Sequence, residues 1–295
     1  MNSTLQGILG TLASILVGGL IAIAGSTGSI AFSGYPLFFL CIAFAFVVQW
    51  IVFLPSFIFQ TEKYFDLTGS LTYLSVTALA LFLGASSIAE GLDARSLLIA
   101  VLVFIWAIRL GSFLFQRVHR TGSDGRFDVI KTSFAQFCMT WTLQGLWVSL
   151  TLACALAAMT TDAPKPLGVV AWAGALIWLL GFAVEVVADS QKSRFNSEPA
   201  NAGKFINIGL WRWSRHPNYF GEIMLWAGIS IIALPVLSGW QWATLISPFF
   251  VAFLLIVISG IPILERRAHK KWGQDPDYQA YKANTHVILL LPPKS

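Results

Sequence analysis

Apolar residues in this chain come in long unbroken runs, and polar residues collect between them. The runs lie near 5–25, 35–59, 68–89, 97–116, 134–160, 166–188, 218–236 and 241–264. Each approaches or exceeds the ~20 residues that a helix needs to cross the hydrocarbon core of a bilayer. No stretch alternates with the period of two expected of a half-buried strand, and no repeat of solenoid length occurs. The pattern predicts an all-α fold: a polytopic transmembrane helical bundle of seven or eight spans. The count turns on the first run, MNSTLQGILGTLASILVGGLIAIAG, which is Gly-rich and lacks the basic n-region of a signal peptide. We read it as a span; dropping it leaves seven. The last two runs are separated only by Leu237-Ser238-Gly239-Trp240. They predict a tight helical hairpin closed by Pro235 and Gly239.

Composition supports the membrane reading. Apolar residues make up 56% of the 295 and charged residues 11%, under half of the ~25% usual in soluble domains. The net charge of +5 fits loop charges near anionic headgroups, and we expect no nucleic-acid partner. Cys41, Cys138 and Cys154 all fall inside apolar runs. That placement fits small buried residues, with neither a disulfide framework nor a metal site. The four histidines show no zinc spacing, so no metal is expected. There is no Rossmann fingerprint, Walker A loop or nucleophile elbow. A nucleotide cofactor, if bound, lies among helices.

The loops assign sidedness. Arg117, Arg120, Arg126 and Lys131 crowd 117–133, and Lys192, Arg194, Lys204, Arg212 and Arg215 crowd 190–216. Arg266, Arg267, Lys270 and Lys271 begin the tail, whereas the loops near 26–34, 161–165 and 237–240 are nearly free of Lys and Arg. By the positive-inside rule the basic segments and the C-terminus face the cytoplasm.

The same basic segments hold polar residues at the mouths of apolar runs, where they are costly unless partnered or wet. In GFAVEVVADSQKSRFN, Glu185, Asp189 and Lys192 fall at i, i+4 and i+7 and share a helix face. They form either a solvated helix end or the lining of a cytoplasm-facing pocket. In SRHPNYFGEI, Asn218 and Glu222 are i and i+4, and Pro217 suits a first helical turn. Arg215 and His216 precede that turn, where free N–H groups favour an anion. The alternatives there are a phosphate cradle and a clamp between helices. Arg109 sits within a span and must face a partner or a cavity, while Arg117 lies at the interface. In QTEKYFD, Gln60 with Tyr64, and Glu62 with Asp66, are at i, i+4 spacing. An acid and a phenol there can give a proton to a substrate oxygen. Trp211 and Trp213 lie beside the basic motif, where a ring can stack on a flat ligand or join an aromatic belt.

ADSQKSRFN at 188–196, GLWRWSRHPNYFGEI at 209–223 and LERRAHKKWGQDPDYQAYKANTHVILLLPP at 264–293 resemble the steroid 5α-reductase family of membrane enzymes. The likeness is to bacterial members of the domain-of-unknown-function (DUF1295) type, related to sterol double-bond reductases. Isoprenylcysteine carboxyl methyltransferases, which use S-adenosylmethionine, carry a similar R-H-P-x-Y element. The resemblance covers roughly 105–293. It implies a division into N-terminal substrate-side helices (1–96) and a C-terminal reductase-like part (97–295) holding NADPH in a cytoplasm-facing pocket. Carried over residue by residue, it implies cofactor contacts from Asp189 and Lys192 of the D-x-Q-K element. It extends them to Trp211, Arg215, His216, Asn218, Tyr219 and Glu222, with Asn218 and Glu222 toward the nicotinamide. Arg109 and Arg117 match paired arginines facing the cofactor. Arg266, Arg267 and Tyr281 match tail positions near the phosphates and adenosine. Asn196 stands where sterol reductases often carry Arg, and Arg194 is the compensating candidate. The adjacent Gln-Glu pair of animal 5α-reductases has no clean counterpart; Gln60 and Glu62, one residue further apart, are nearest.

The activity implied is NADPH-dependent reduction of a carbon–carbon double bond conjugated to a carbonyl in a lipophilic, 3-oxo-Δ4 steroid-like substrate. Glu62, kept protonated by apolar burial, or Tyr64 is the expected proton donor. The alternatives are an S-adenosylmethionine-dependent methyltransferase and a lipid-binding bundle without activity. The expected setting is a multi-pass integral membrane monomer, in the inner membrane if the chain is bacterial, contacting membrane lipid and a steroid or other isoprenoid enone.

Overall fold

The computed structural model describes residues 2–87, 91–121 and 127–293, with the side chains of 113–121 left out of the description. Long apolar helices dominate it: α1 (Ser3–Gly25), α2 (Leu37–Ile58), α3 (Phe65–Ser87), α4 (Ala94–Thr121), α5 (Phe134–Met159), α6 (Val169–Ser197) and α7 (Pro217–Ala233). Shorter helices follow: α8 (Ile246–Phe253), α9 (Ile261–Trp272) and α10 (Pro276–Asn284). Among the described residues, eight helical segments are long and apolar enough to cross a membrane, the last running over Gly239–Trp272. The protein is a polytopic helical bundle, as the hydropathy pattern predicts. One strand pair escaped that pattern: a two-residue hairpin of β1 (Ala31–Phe32) and β2 (Tyr35–Pro36). It is too short to leave a periodic signal.

The chain forms two compact units. One comprises Met1–Ala171 with Ile232–Ser247, the other Trp172–Ile231 with Pro248–Ser295.

In the first unit α5 is the core helix. Every residue from Val148 to Met159 is buried, Cys154 among them. A helix apolar all round belongs inside. The glycines of α1 let it lie close against this unit. A Cβ on Gly7 would meet the Ala135 backbone at 2.5 Å, and one on Gly18 the Phe46 ring at 2.6 Å. The Gly-rich composition of the first run therefore reflects close packing. Buried and half-buried polar side chains pair across helices. Gln49 donates to Thr72 Oγ1 at 2.8 Å, Trp50 to Thr142 Oγ1 at 3.0 Å, and Gln144 to the Phe65 carbonyl at 3.1 Å.

Arg95, 1% exposed, pins this unit together and was not singled out from sequence. Asp93 caps the start of α4, accepting from the backbone N–H groups of Arg95 and Ser96 at 2.9 and 3.1 Å. The Arg95 guanidinium donates to the carbonyls of Ile232 and Pro166. It thereby ties the start of α4 to the 165–166 loop and to residue 232.

Two local expectations change. Residues 60–64 form a turn between α2 and α3, with Gln60 at φ +50°. The helical i, i+4 pairing of Gln60 with Tyr64 and of Glu62 with Asp66 is therefore absent. The run expected over 241–264 is not one regular helix. It begins as a 3₁₀ helix over Gly239–Leu245, capped reciprocally by Ser238 and Gln241, and continues as α8. It then opens into a π turn over Leu254–Ile258 before α9.

Arg95→Ala should cost about 3 kcal/mol, because buried carbonyls lose a charged donor. Thermal unfolding in detergent would show this as a lowered midpoint; an unchanged midpoint contradicts the assignment.

Candidate functional site

Three separated stretches of sequence meet in the second unit: the end of α6, residues 209–222, and the tail from α9 onward. The α6 end holds the 209–213 turn through Gln191, whose Oε1 accepts from the Leu210 N–H at 2.9 Å. Gly209, at φ +59°, lies against that amide; a Cβ there would stand 2.5 Å from Gln191 Nε2. Positive φ and close approach together require glycine. Trp211 is buried, and its Nε1–H donates to the Ala188 carbonyl at 3.0 Å. Lys192 Nζ stands 4.6 Å from the Trp211 ring centroid, a cation–π contact. Trp211 is thus a fixed platform with a cation on one face, whereas Trp213 is exposed.

The tail fastens the other side of the motif. Tyr281 Oη donates to the Trp211 carbonyl at 2.6 Å, and burial raises its pKa well above the ordinary phenol value, keeping the donor proton. The Arg215 N–H donates to the His286 carbonyl at 2.9 Å, and Ser214 Oγ donates to the Ile288 carbonyl at 2.9 Å.

At the centre stands Glu265 of α9. Its Oε2 accepts from Arg215 Nη1 at 3.0 Å and its Oε1 meets His216 Nε2 at 3.1 Å. Lys282 Nζ approaches Oε2 at 3.6 Å. Arg215 and His216 therefore direct these atoms at a carboxylate of the chain itself, not at the phosphate expected from sequence. The arrangement is the clamp that sequence left open as an alternative. Burial pushes the His216 pKa below the ordinary histidine value, with Glu265 pulling the other way and Lys192 and Arg215 adding to the fall. A neutral imidazole beside a carboxylate donates through Nε2, which leaves Nδ1 as an acceptor. His216 Nδ1 and Arg215 Nε are buried and have no hydrogen-bond partner among the described residues.

Beyond the clamp, α7 begins at Pro217 and carries Asn218 and Glu222 one turn apart, both half-buried. The Tyr219 ring is parallel to His216 within 10°, centroids 5.7 Å apart. It also abuts Gly260, where a Cβ would come within 2.9 Å of the Tyr219 ring. Glycines bring α6 and α7 into backbone contact. A Cβ on Gly221 would meet Gly181 O at 2.5 Å and Glu185 N at 2.7 Å; one on Gly228 would meet Gly174 O at 2.7 Å. This crossing holds buried Glu185 against the α7 turn that bears Glu222.

The remaining expected residues are placed elsewhere. Asp189 is half-buried one turn before Lys192, and Arg194, Arg266 and Arg267 are exposed. Gln60 is exposed and donates to the Phe57 carbonyl at 2.7 Å, and Tyr64 is exposed. Glu62 is buried but is not the neutral carboxyl expected from apolar burial. Lys131 Nζ lies 2.9 Å from its Oε2, and that hydrogen bond raises the lysine pKa. Arg109 is half-buried in α4 of the first unit, and the Arg117 side chain lies outside the described residues. Two open grooves mark the surface of the second unit, of about 780 Å³ beside Lys204, Phe205, Arg212 and Tyr281 and about 610 Å³ beside Gln191, Arg194 and Ile208. Neither is lined by Lys192, His216 or Glu222; of the expected residues, Tyr281 lines the first and Arg194 the second. Among the described residues no group of His, Cys, Asp and Glu is arranged to hold a metal.

Glu265 is the residue that sequence reasoning missed. One signal was available: it is the only acid between Glu222 and Asp275, and it closes an apolar run.

Gly221→Ala should cost about 1–3 kcal/mol, because the clashing atoms are backbone and the helices must part. Gly19→Ala, whose Cβ meets nothing within 4 Å, should stay within about 0.5 kcal/mol of the parent. Equal thermal midpoints for the two variants would contradict the crossing.

No curated protein and no solved structure matches the chain. One family profile, described as a protein of unknown function (DUF1295), matches residues 52–285. That range contains α6, the R-H-P-N-Y segment and Glu265. A match over most of the length establishes the kinship: the protein belongs to the DUF1295 family.

Proposed function

We propose that the protein is an NADPH-dependent reductase of a carbon–carbon double bond conjugated to a carbonyl in a lipophilic, 3-oxo-Δ4 steroid-like substrate. The observation that carries the reading is the meeting, in one compact unit, of Lys192 with Trp211, and of Trp211 and Arg215 with the tail. These are the segments through which the chain resembles the steroid 5α-reductases.

The donor set fits a phosphorylated dinucleotide. Lys192 offers a cation beside a buried indole, and Arg215 Nε is a buried donor without an acceptor among the described residues. Lys192, Trp211, Arg215, Asn218, Tyr219 and Glu222 would hold the cofactor, which when bound supplies the hydride. Asn218 and Glu222, one turn apart, present an amide and a carboxylate that can fix a carboxamide and so select one face of its ring. Lys192 and the first-turn N–H groups of α7 meet negative charge. Of the two acid candidates in the first unit, Glu62 is paired with Lys131, which leaves the Tyr64 phenol as the remaining candidate proton donor. The lipid phase delivers the substrate, and the basic segments and tail face the cytoplasm, where NADPH is found.

One observation favours a second reading. Arg215 and His216 are turned to Glu265, so the R-H-P core alone does not demand a phosphate. Methyltransferases with this element bind S-adenosylmethionine.

Titration of detergent-purified protein with NADPH and with S-adenosylmethionine separates the two. Saturable binding of NADPH alone supports reduction. Binding of S-adenosylmethionine alone overturns it, and binding of neither leaves a lipid-binding bundle. Glu222→Gln should lower NADPH oxidation with an enone steroid by about tenfold or more, with unchanged elution on size exclusion. Parent-like turnover would remove Glu222 from the site. A reporter fused after Ser295 should read as cytoplasmic; a periplasmic reading reverses the assigned orientation.

A further inference from the structure

We infer that Glu265 is a positioning residue that locks His216 as a neutral Nδ1 acceptor, and that this buried nitrogen receives an uncharged hydroxyl or amide N–H of the bound cofactor. The inference rests on the reduction reading for the identity of the ligand; the Nε2–H tautomer stands on the contact with Glu265, and the neutral ring on burial beside two cations.

The geometry runs in one direction. Glu265 Oε1 is 3.1 Å from His216 Nε2, and Oε2 is held by Arg215 at 3.0 Å and approached by Lys282 at 3.6 Å. A carboxylate held by two cations is ionised and can only accept, so Nε2 must carry the hydrogen. The ring cannot turn over without abandoning that bond, and Tyr219 stacked on it restricts rotation further. In the neutral ring Nδ1 is thereby fixed as an acceptor. The residue is 5% exposed, and Nδ1 has no donor among the described residues. A buried polar atom left unmet costs free energy comparable to a lost hydrogen bond. What it lacks is a donor, and an unprotonated phosphate oxygen has none to give. The contact assigned to His216 is therefore to a hydroxyl or amide of the ligand. Arg215 Nε, also buried and unmet, is the neighbouring donor for an acceptor on the same molecule.

The groups facing His216 are Glu265 from α9, Lys192 from α6, Tyr219 from α7 and Arg215 from its own segment, with Lys282 of α10 acting through Glu265. Protonation would turn Nδ1 into a donor and abolish the contact. Burial and the two cations hold the ring neutral, and Glu265 alone pulls toward protonation. Affinity should therefore fall on the acid side of the ordinary histidine pKa of about 6.5. Removing the Glu265 charge should move that fall to lower pH while weakening affinity at neutral pH.

The test is nitrogen NMR of detergent-solubilised full-length protein labelled at the histidine ring nitrogens. Of the four histidines, His216 is assigned by comparison with His216→Asn. The ligand-free protein at pH 7.5 should show His216 neutral with hydrogen on Nε2. NADPH should shift the Nδ1 signal in the direction of an accepted hydrogen bond. Glu265→Gln should lose about tenfold in NADPH affinity, the worth of one hydrogen bond, with its acid limb displaced downward. His216→Asn should have no such limb. If Glu265→Gln does not fold, the parent tautomer and the His216→Asn pH profile still decide. A parent protein with hydrogen on Nδ1 overturns the lock and leaves the reduction reading standing. NADPH binding, seen by tryptophan quenching, with an unmoved Nδ1 signal overturns the acceptor role alone. Absence of NADPH binding by the parent overturns the reduction reading and, with it, the acceptor role.

Discussion

One carboxylate organises the second unit. Glu265 meets Arg215, His216 and Lys282, and so joins α9, α10 and the segment that leads into α7. A partly buried ion pair has no large stabilising value of its own, since desolvation offsets attraction. Its effect here is specificity of arrangement. Once Glu265 holds Arg215 and His216, the backbone at Ser214 and Arg215 lies along 286–288, Tyr281 reaches the Trp211 carbonyl, and the first turn of α7 is aimed. Removal of the acid would leave two cationic groups and an imidazole without their common partner, which costs more than the pair contributes.

Close approach of backbones supplies what the ion pairs do not. Gly181 and Gly221 touch across α6 and α7, so Glu185 and the turn bearing Asn218 and Glu222 are held by close backbone packing rather than by long side chains. In lipid, where burial of apolar surface gives helices no reason to associate, such small-residue contacts are the available source of close packing. Arg95 does comparable work in the first unit, satisfying carbonyls that would otherwise face an apolar interior. The π turn over 254–258 precedes Gly260, where the Tyr219 ring sits. Irregular backbone thus lies beside the polar cluster, a common association.

Much of the fold was legible because lipid imposes a simple rule: apolar runs of sufficient length become helices. The eight runs correspond to the eight apolar helical segments of the described residues. The rule says nothing of the tiny hairpin at 31–36 or of the turn at 60–64, where a positive φ at Gln60 breaks a helix that spacing alone would draw. At the site, sequence pointed to Lys192, Trp211, Arg215 and His216, which gather in one unit, but not to what they touch. Arg215 looked outward to a phosphate because a basic pair before a helix N-terminus is an anion site in isolation. Its partner lies 50 residues further on, at Glu265, a distance no local pattern spans. Glu62 misled for the same reason, since Lys131 is 69 residues away. Burial was foreseen for it, but the cation that keeps it ionised was not.

The central claim is that this arrangement serves hydride transfer. Incubation of the purified protein with NADPH deuterated at the transferable C4 position and an enone steroid, followed by mass spectrometry of the product, tests it directly. The account predicts a saturated ketone carrying one deuterium at the former β-carbon. Recovery of unreduced steroid from protein that binds and turns over S-adenosylmethionine would contradict it.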